Sequence, residues 1–136
     1  MIKDKPKFVL DSFALLAFLE NELGSQRIQD LFGLAKNGTI SLSLSIINLG
    51  EVLYITERER GLPVAQKVLA LIEELPIEIV EASRDMVFSA AHMKANYAIS
   101  YADSFAAALT IQQKATLVTG DPEFKTIEKE CQIEWL

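Results

Sequence analysis

The sequence predicts an α/β fold: one domain over residues 1–136, with a parallel sheet of about five strands flanked by helices on both faces. Two observations predict it. Short apolar runs of strand length alternate with longer stretches whose apolar residues recur at helical spacing, the pattern of strands joined through helical crossovers. Two of these runs, Phe8-Val9-Leu10 and Thr116-Leu117-Val118, each lead into an acid, Asp11 and Asp121. Open parallel sheets assemble their ligand sites at the carboxyl ends of their strands, so both carboxylates are expected at one edge.

Taking the elements in order, Phe8-Val9-Leu10 is apolar without alternation, as a strand buried on both faces is. Ala14, Leu15, Leu16, Phe18 and Leu19 follow as the apolar face of a helix with Ser12 as its expected N-cap. Ser25 is the expected cap of a second helix carrying Ile28, Leu31 and Phe32 and ending near Asn37-Gly38. Thr39-Ile40-Ser41-Leu42 alternates as a strand. From Ser45, the residues Ile46, Ile47, Leu49, Val52, Leu53 and Ile55 form a broad helical stripe closed by Glu57-Arg58-Glu59-Arg60-Gly61, and Glu51 lies inside it among apolar neighbours.

Pro63 suits the first turn of the next helix, which runs to Leu75-Pro76, and Ile77-Glu78-Ile79-Val80 is the third strand. Ser83 caps a helix that fades near Asn96-Tyr97. The alanine-rich stretch from Tyr101 to Leu109 is strongly helical and permits close packing, with Asp103 in its first turn, where the helix dipole favours an anion. After the Thr116 strand come a short helix around Phe124 to Lys129 and a last strand, Ile133-Glu134-Trp135-Leu136.

Composition narrows the function classes. With 50% hydrophobic and 24% charged residues the chain reads as an ordinary globular protein, and 136 residues can bury a core without disulfides. No apolar run approaches the roughly 20 residues of a membrane span, and the charged start Met1-Ile2-Lys3-Asp4-Lys5 leads into a strand too short for a signal sequence. A cytoplasmic location with no membrane partner is expected, in keeping with the single cysteine, Cys131. The net charge of −6 would repel nucleic acid as a whole, which counts against a non-specific coat protein. A nuclease remains open, because carboxylates loaded with divalent cations present a locally positive surface.

Four acids stand beside hydrophobic sequence rather than in charge runs: Asp11, Glu51, Asp103 and Asp121. Carboxylates near apolar groups are costly unless paired or metal-bound, and four without evident basic partners would repel one another. Mg2+ or Mn2+ resolves that repulsion, since hard cations prefer oxygen ligands and keep waters for chemistry. No histidine pair or cysteine cluster suggests zinc. Gly120 lacks the Gly-Lys-Ser/Thr of a phosphate-binding loop, and no nucleophile elbow is present.

These residues carry a resemblance. Val9-Leu10-Asp11-Ser12 with its apolar helix, Asn48-Leu49-Gly50-Glu51-Val52, Ile99 to Ala108 around Asp103, and Leu117-Val118-Thr119-Gly120-Asp121-Pro122-Glu123-Phe124 look like the successive motifs of PIN domains. Their order and spacing are similar to those of the small VapC-type toxins of toxin–antitoxin pairs, over nearly the whole chain. The resemblance implies a five-stranded parallel sheet and hydrolysis of single-stranded RNA with Mg2+ or Mn2+. It makes Asp11, Glu51, Asp103 and Asp121 the catalytic, metal-binding acids, with Ser12 and Thr119 as supporting hydroxyls. Glu123 matches a position that is often acidic, and Gly120 one where many relatives carry a polar or basic residue. It further implies a homodimer and a small antitoxin that blocks the acidic groove.

Blander roles stand beside these. Asp11 and Asp121 are also good helix caps, Asp103 a first-turn dipole partner and Glu51 an ordinary helix acid. A different functional class, a catalytically silent PIN-like module that binds protein or RNA, would suit the acidic balance. Receiver and haloacid-dehalogenase-like phosphatase readings fit poorly: the latter want an aspartate where Phe13 stands.

Overall fold

The computed structural model describes residues 5–136; the charged start at residues 1–4 lies outside them. The elements are β1 (Lys7–Leu10), α1 (Ser12–Leu19), α2 (Ser25–Lys36), β2 (Ser41–Ser45), α3 (Ile46–Arg60), α4 (Leu62–Glu74), β3 (Glu78–Val80), α5 (Arg84–Asn96), α6 (Tyr101–Gln113), β4 (Thr116–Thr119), a 3-10 helix (Pro122–Ile127) and β5 (Gln132–Trp135). The five strands form one parallel sheet in the order β3-β2-β1-β4-β5. The chain builds outward from β1 through β2 to β3 and then returns to the other side of β1 as β4. The direction of winding therefore reverses between β1 and β4, the place where an open α/β sheet leaves a crevice at its carboxyl edge.

Alternation along the strands sorts the core into two layers. Val9 of β1 and Leu117 of β4 face Met86 and Ala90 of α5, Phe105 to Leu109 of α6, and Phe124. Their neighbours Leu10 and Val118 face the other way, onto Ala14 and Leu15 of α1, Ile28 and Leu31 of α2, Val52 of α3 and Ile72 of α4. Helix α6 is buried along an unbroken run from Asp103 to Thr110. Ala106, Ala107 and Ala108 make that possible, since small side chains let the helix lie close on the sheet and against α3 and α5. Gly61 takes φ +91° between α3 and α4, a conformation in which a Cβ would be strained, so the two helices meet through a one-residue turn.

The predicted fold class and element order stand. Several ends differ, for local reasons. Asp11, not Ser12, caps α1, its Oδ1 accepting from the Ala14 N–H at 2.8 Å, and Ser12 is already helical. Gly24, not Ser25, precedes α2. Strand β2 runs later than Thr39 to Leu42 because Thr39 is held in a turn, its N–H on the Leu34 carbonyl and on the Asn37 side chain, while Leu42 and Leu44 supply the buried face. The expected helix over Phe124 to Lys129 is instead the tighter 3-10 helix that starts at Pro122 and is capped by Asp121. Ser45, Ser83 and Ser100 cap their helices through side-chain hydrogen bonds.

Candidate active site

Four elements deliver acids to the crevice beyond β1 and β4. Asp11 follows β1 directly, Asp121 follows β4 after Gly120, Glu123 sits in the 3-10 helix, and Asp103 occupies the first turn of α6. Carboxylate oxygens of Asp103, Asp121 and Glu123 all lie within 4.8 Å of one another. A cleft of about 300 Å³ opens onto them. Glu51 of α3, Ser12 and Ser100 also line it, and Phe13, Leu16 and Ile55 complete its wall. Glu51 and Ile55, four residues apart, share one face of α3, as Phe13 and Leu16 share one face of α1. Among the described residues, no lysine or arginine lines the cleft.

Asp11 lies behind this group rather than in it. Only 1% of its surface is exposed, and both oxygens are engaged: Oδ1 with the Ala14 N–H and Oδ2 with the Thr119 hydroxyl. The same Thr119 oxygen accepts the Asp121 N–H at 3.0 Å, so one hydroxyl ties the end of β1 to the turn that carries Asp121. Asp121 in turn accepts the Glu123 N–H at 2.9 Å. In Asp121, capping and membership of the acidic group thus coexist.

The electrostatics are those of carboxylates crowded without counter-charge. Burial pushes Asp11 up to about 7, against the hydrogen bonds from Thr119 and Ala14 that pull it down. Asp103 is also raised, first by burial, then by its hydrogen bond with Glu123 and by the charges of Asp121 and Asp11. A proton held between Asp103 and Glu123 is the simplest relief for that repulsion, and a cation would relieve it more fully. The donors are oxygens alone, with no thiolate or imidazole among them, which fits a hard divalent cation rather than zinc.

The family model of the PIN domain matches residues 8–130. The chain belongs to the PIN domain family. Comparison with curated proteins gives no match, whereas solved structures share the fold. The chain is similar to VapBC2 from Rickettsia felis bound to a DNA fragment from their promoter (23% identity, TM-score 0.73, covering 94% of this chain and 97% of that one). It is similar to DNA-bound VapBC from Salmonella typhimurium (18% identity, TM-score 0.75, 95% and 97% covered). It is also similar to VapC20 of Mycobacterium tuberculosis, a sarcin-ricin loop cleaving toxin (16% identity, TM-score 0.67, 87% and 92% covered).

Within this PIN domain one residue outside the predicted set joins the walls of the site. Asn48 is fully buried at the start of α3. Its Nδ2 donates to the Ala102 carbonyl of α6 at 3.1 Å and to the Ser12 hydroxyl at 3.3 Å, while Ser12 Oγ donates back to the Asn48 carbonyl at 3.2 Å. The helices that carry Ser12, Glu51 and Asp103 are thereby held together by one side chain. Asn48 Oδ1 has no hydrogen-bond partner among the described residues. The motif containing Asn48 was legible in the sequence. The Asn48 contacts were not, since Ala102 is 54 residues away.

Other candidates are occupied elsewhere in the PIN domain. His92 lines a separate cavity with Phe88 and Ile111, between α5 and α6. The Arg58 guanidinium lies over the Tyr54 ring, Arg60 is 3.9 Å from Glu20, and Lys94 donates to the Ile99 carbonyl. Burial pushes the Cys131 thiol up to about 11, which leaves it unreactive near neutral pH. Phe105 is core, and Trp135 is partly exposed on the edge strand β5. No helix among the described residues is long and apolar enough to cross a membrane.

Proposed function

We propose that the chain is a Mg2+- or Mn2+-dependent endoribonuclease that hydrolyses RNA phosphodiester bonds and serves as the toxin of a toxin–antitoxin pair. The observation that carries this reading is the group of Asp103, Asp121 and Glu123, whose carboxylate oxygens all lie within 4.8 Å of one another. Membership of the PIN family supports it, and so does the shared fold with VapBC complexes. Asp103, Asp121 and Glu123 would hold the metal directly, with Glu51 facing it across the cleft. Asp11, fixed by Thr119, adds negative charge from below. When bound, the metal supplies charge neutralisation at the scissile phosphate and a more acidic water.

The chain's own residues do the rest. Thr119 orients Asp11 and the turn bearing Asp121, so the acids are fixed before substrate arrives. Ser100 Oγ accepts the Asp103 N–H at 3.1 Å and holds the first turn of α6 at the cleft wall, while the Ser12 hydroxyl is committed to Asn48 and braces α1 against α3. Water is the nucleophile and no covalent enzyme intermediate forms. The protein is expected to act in the cytoplasm as a homodimer, restrained by an antitoxin that covers the cleft.

Calorimetric titration of Mn2+ into the wild type and Asp103→Asn tests this reading. Saturable binding is expected in the wild type and not in the variant, together with RNA cleavage that falls by about 100-fold or more in Asp103→Asn or Asp11→Asn. Undiminished cleavage in these variants would sink the assignment. One observation, that no lysine or arginine among the described residues lines the cleft, favours the second reading of a silent module that binds a partner. Partner binding unaffected by chelator and by acid-to-amide changes would support it.

A further inference from the structure

We propose that Phe13 is the nucleobase platform of this site, stacking on the base beside the scissile phosphate. The inference rests on the nuclease reading above and goes beyond it by naming how the strand is held. Among the described residues the cleft is lined by four carboxylates and no cation, so within it the contacts that hold the strand beyond the metal are uncharged. The uncharged wall is Phe13, Leu16 and Ile55, and Phe13 is its one aromatic residue. It is also 41% exposed, although its neighbours Ser12 and Ala14 are buried. What sets this exposed ring apart is its place beside the carboxylates, where it offers an apolar face to a ligand bound at them.

The ring is seated rather than loose. Its edge lies against the backbone of Gly120, the residue immediately before Asp121: a Cβ added there would overlap Cε1 and come within 2.8 Å of Cζ. Glycine at this position is what allows an aromatic ring to stand directly beside the acids. Stacking needs only the π-face that every base has, so the contact positions the strand without choosing the base. It also requires an unpaired base, because a base paired within a duplex cannot turn onto the ring, and this agrees with the single-stranded RNA that the family resemblance implies.

The test uses short single-stranded RNA carrying 2-aminopurine at successive positions, with Ca2+ replacing Mg2+, and the full chain as wild type, Phe13→Leu, Phe13→Tyr and Gly120→Ala. The wild type and Phe13→Tyr are expected to quench the probe at one position. Phe13→Leu, which keeps apolar bulk without the π-face, is expected to lose the quench and bind about 10-fold more weakly. Gly120→Ala, which unseats the ring, should follow Phe13→Leu. Mn2+ affinity and melting temperature of Phe13→Leu should match the wild type, which separates lost stacking from a damaged fold. RNA binding and quenching by Phe13→Leu equal to the wild type would overturn the platform and leave the nuclease reading standing, and it is the result expected if this wall serves a protein partner instead. Failure of the wild type itself to bind RNA would overturn both.

Discussion

Thr119 is the residue on which the geometry of the site turns. Its hydroxyl donates to one strand-end acid, which is shut off from water, and accepts from the partly buried backbone N–H of the other. Thr119→Val keeps the shape and removes both bonds, leaving a buried carboxylate oxygen and a backbone N–H without partners. A loss of about 1–3 kcal/mol is expected in urea unfolding, together with weaker Mn2+ binding. Thr119→Ser should restore most of both. At this scale the sequence was informative where an acid breaks an apolar run: Asp11, Asp103 and Asp121 all come to the crevice. By resemblance Glu123 is a supporting acid, on its match to a family position that is often acidic, and the 3-10 turn brings it into the carboxylate group itself. The exposure of Phe13 had no sequence signal, because it depends on a glycine 107 positions away.

At the scale of elements, the site exists because α1, α3 and α6 converge on the end of β1. Asn48 is the joint, bridging Ser12 and the Ala102 carbonyl. Asn48→Ala removes both bonds and leaves the Ala102 carbonyl unserved in the interior, with an expected loss of about 1–3 kcal/mol in chemical denaturation. It should also weaken Mn2+ binding by letting α3, and with it Glu51, drift from α6. Unchanged Mn2+ affinity in a destabilised Asn48→Ala would mean that the joint serves the core alone. The order of elements was readable from alternating strand-length and helix-length apolar runs. Their ends were not, because caps are settled by which side chain reaches a free N–H: Asp11 outcompetes Ser12, and the Asn37 turn delays β2.

Across the whole molecule, excess negative charge meets a buried acidic group, and stability should depend on pH in an unusual direction. Asp11 rises from 3.8 in the unfolded chain to about 7 in the fold, and Asp103 moves the same way. Below about pH 4 both states hold the proton and the folded state bears no penalty. As pH climbs, the unfolded chain releases its protons first, so stability falls until the folded pKa is passed and the cost is borne in full. In EDTA, the melting temperature at pH 8 should lie about 10 °C below that at pH 5.5, as followed by circular dichroism. Mn2+ at pH 8 should recover much of the difference, and at pH 5.5 should do little, because protons then compete for the same oxygens. A melting temperature that rises from pH 5.5 to 8 without metal would contradict the burial of these acids.

The pairing of β1 with β4, which sets Phe8 beside Thr116, has a consequence for the timing of synthesis. Asp11 is synthesised 108 positions before Thr119, its hydrogen-bond partner. The crevice can close only once β4 has been made, since the central strand β1 must wait for that distant partner. A growing chain therefore holds its early carboxylate apart from the later ones until β4 is made, so the acidic group is assembled late in folding rather than at its start.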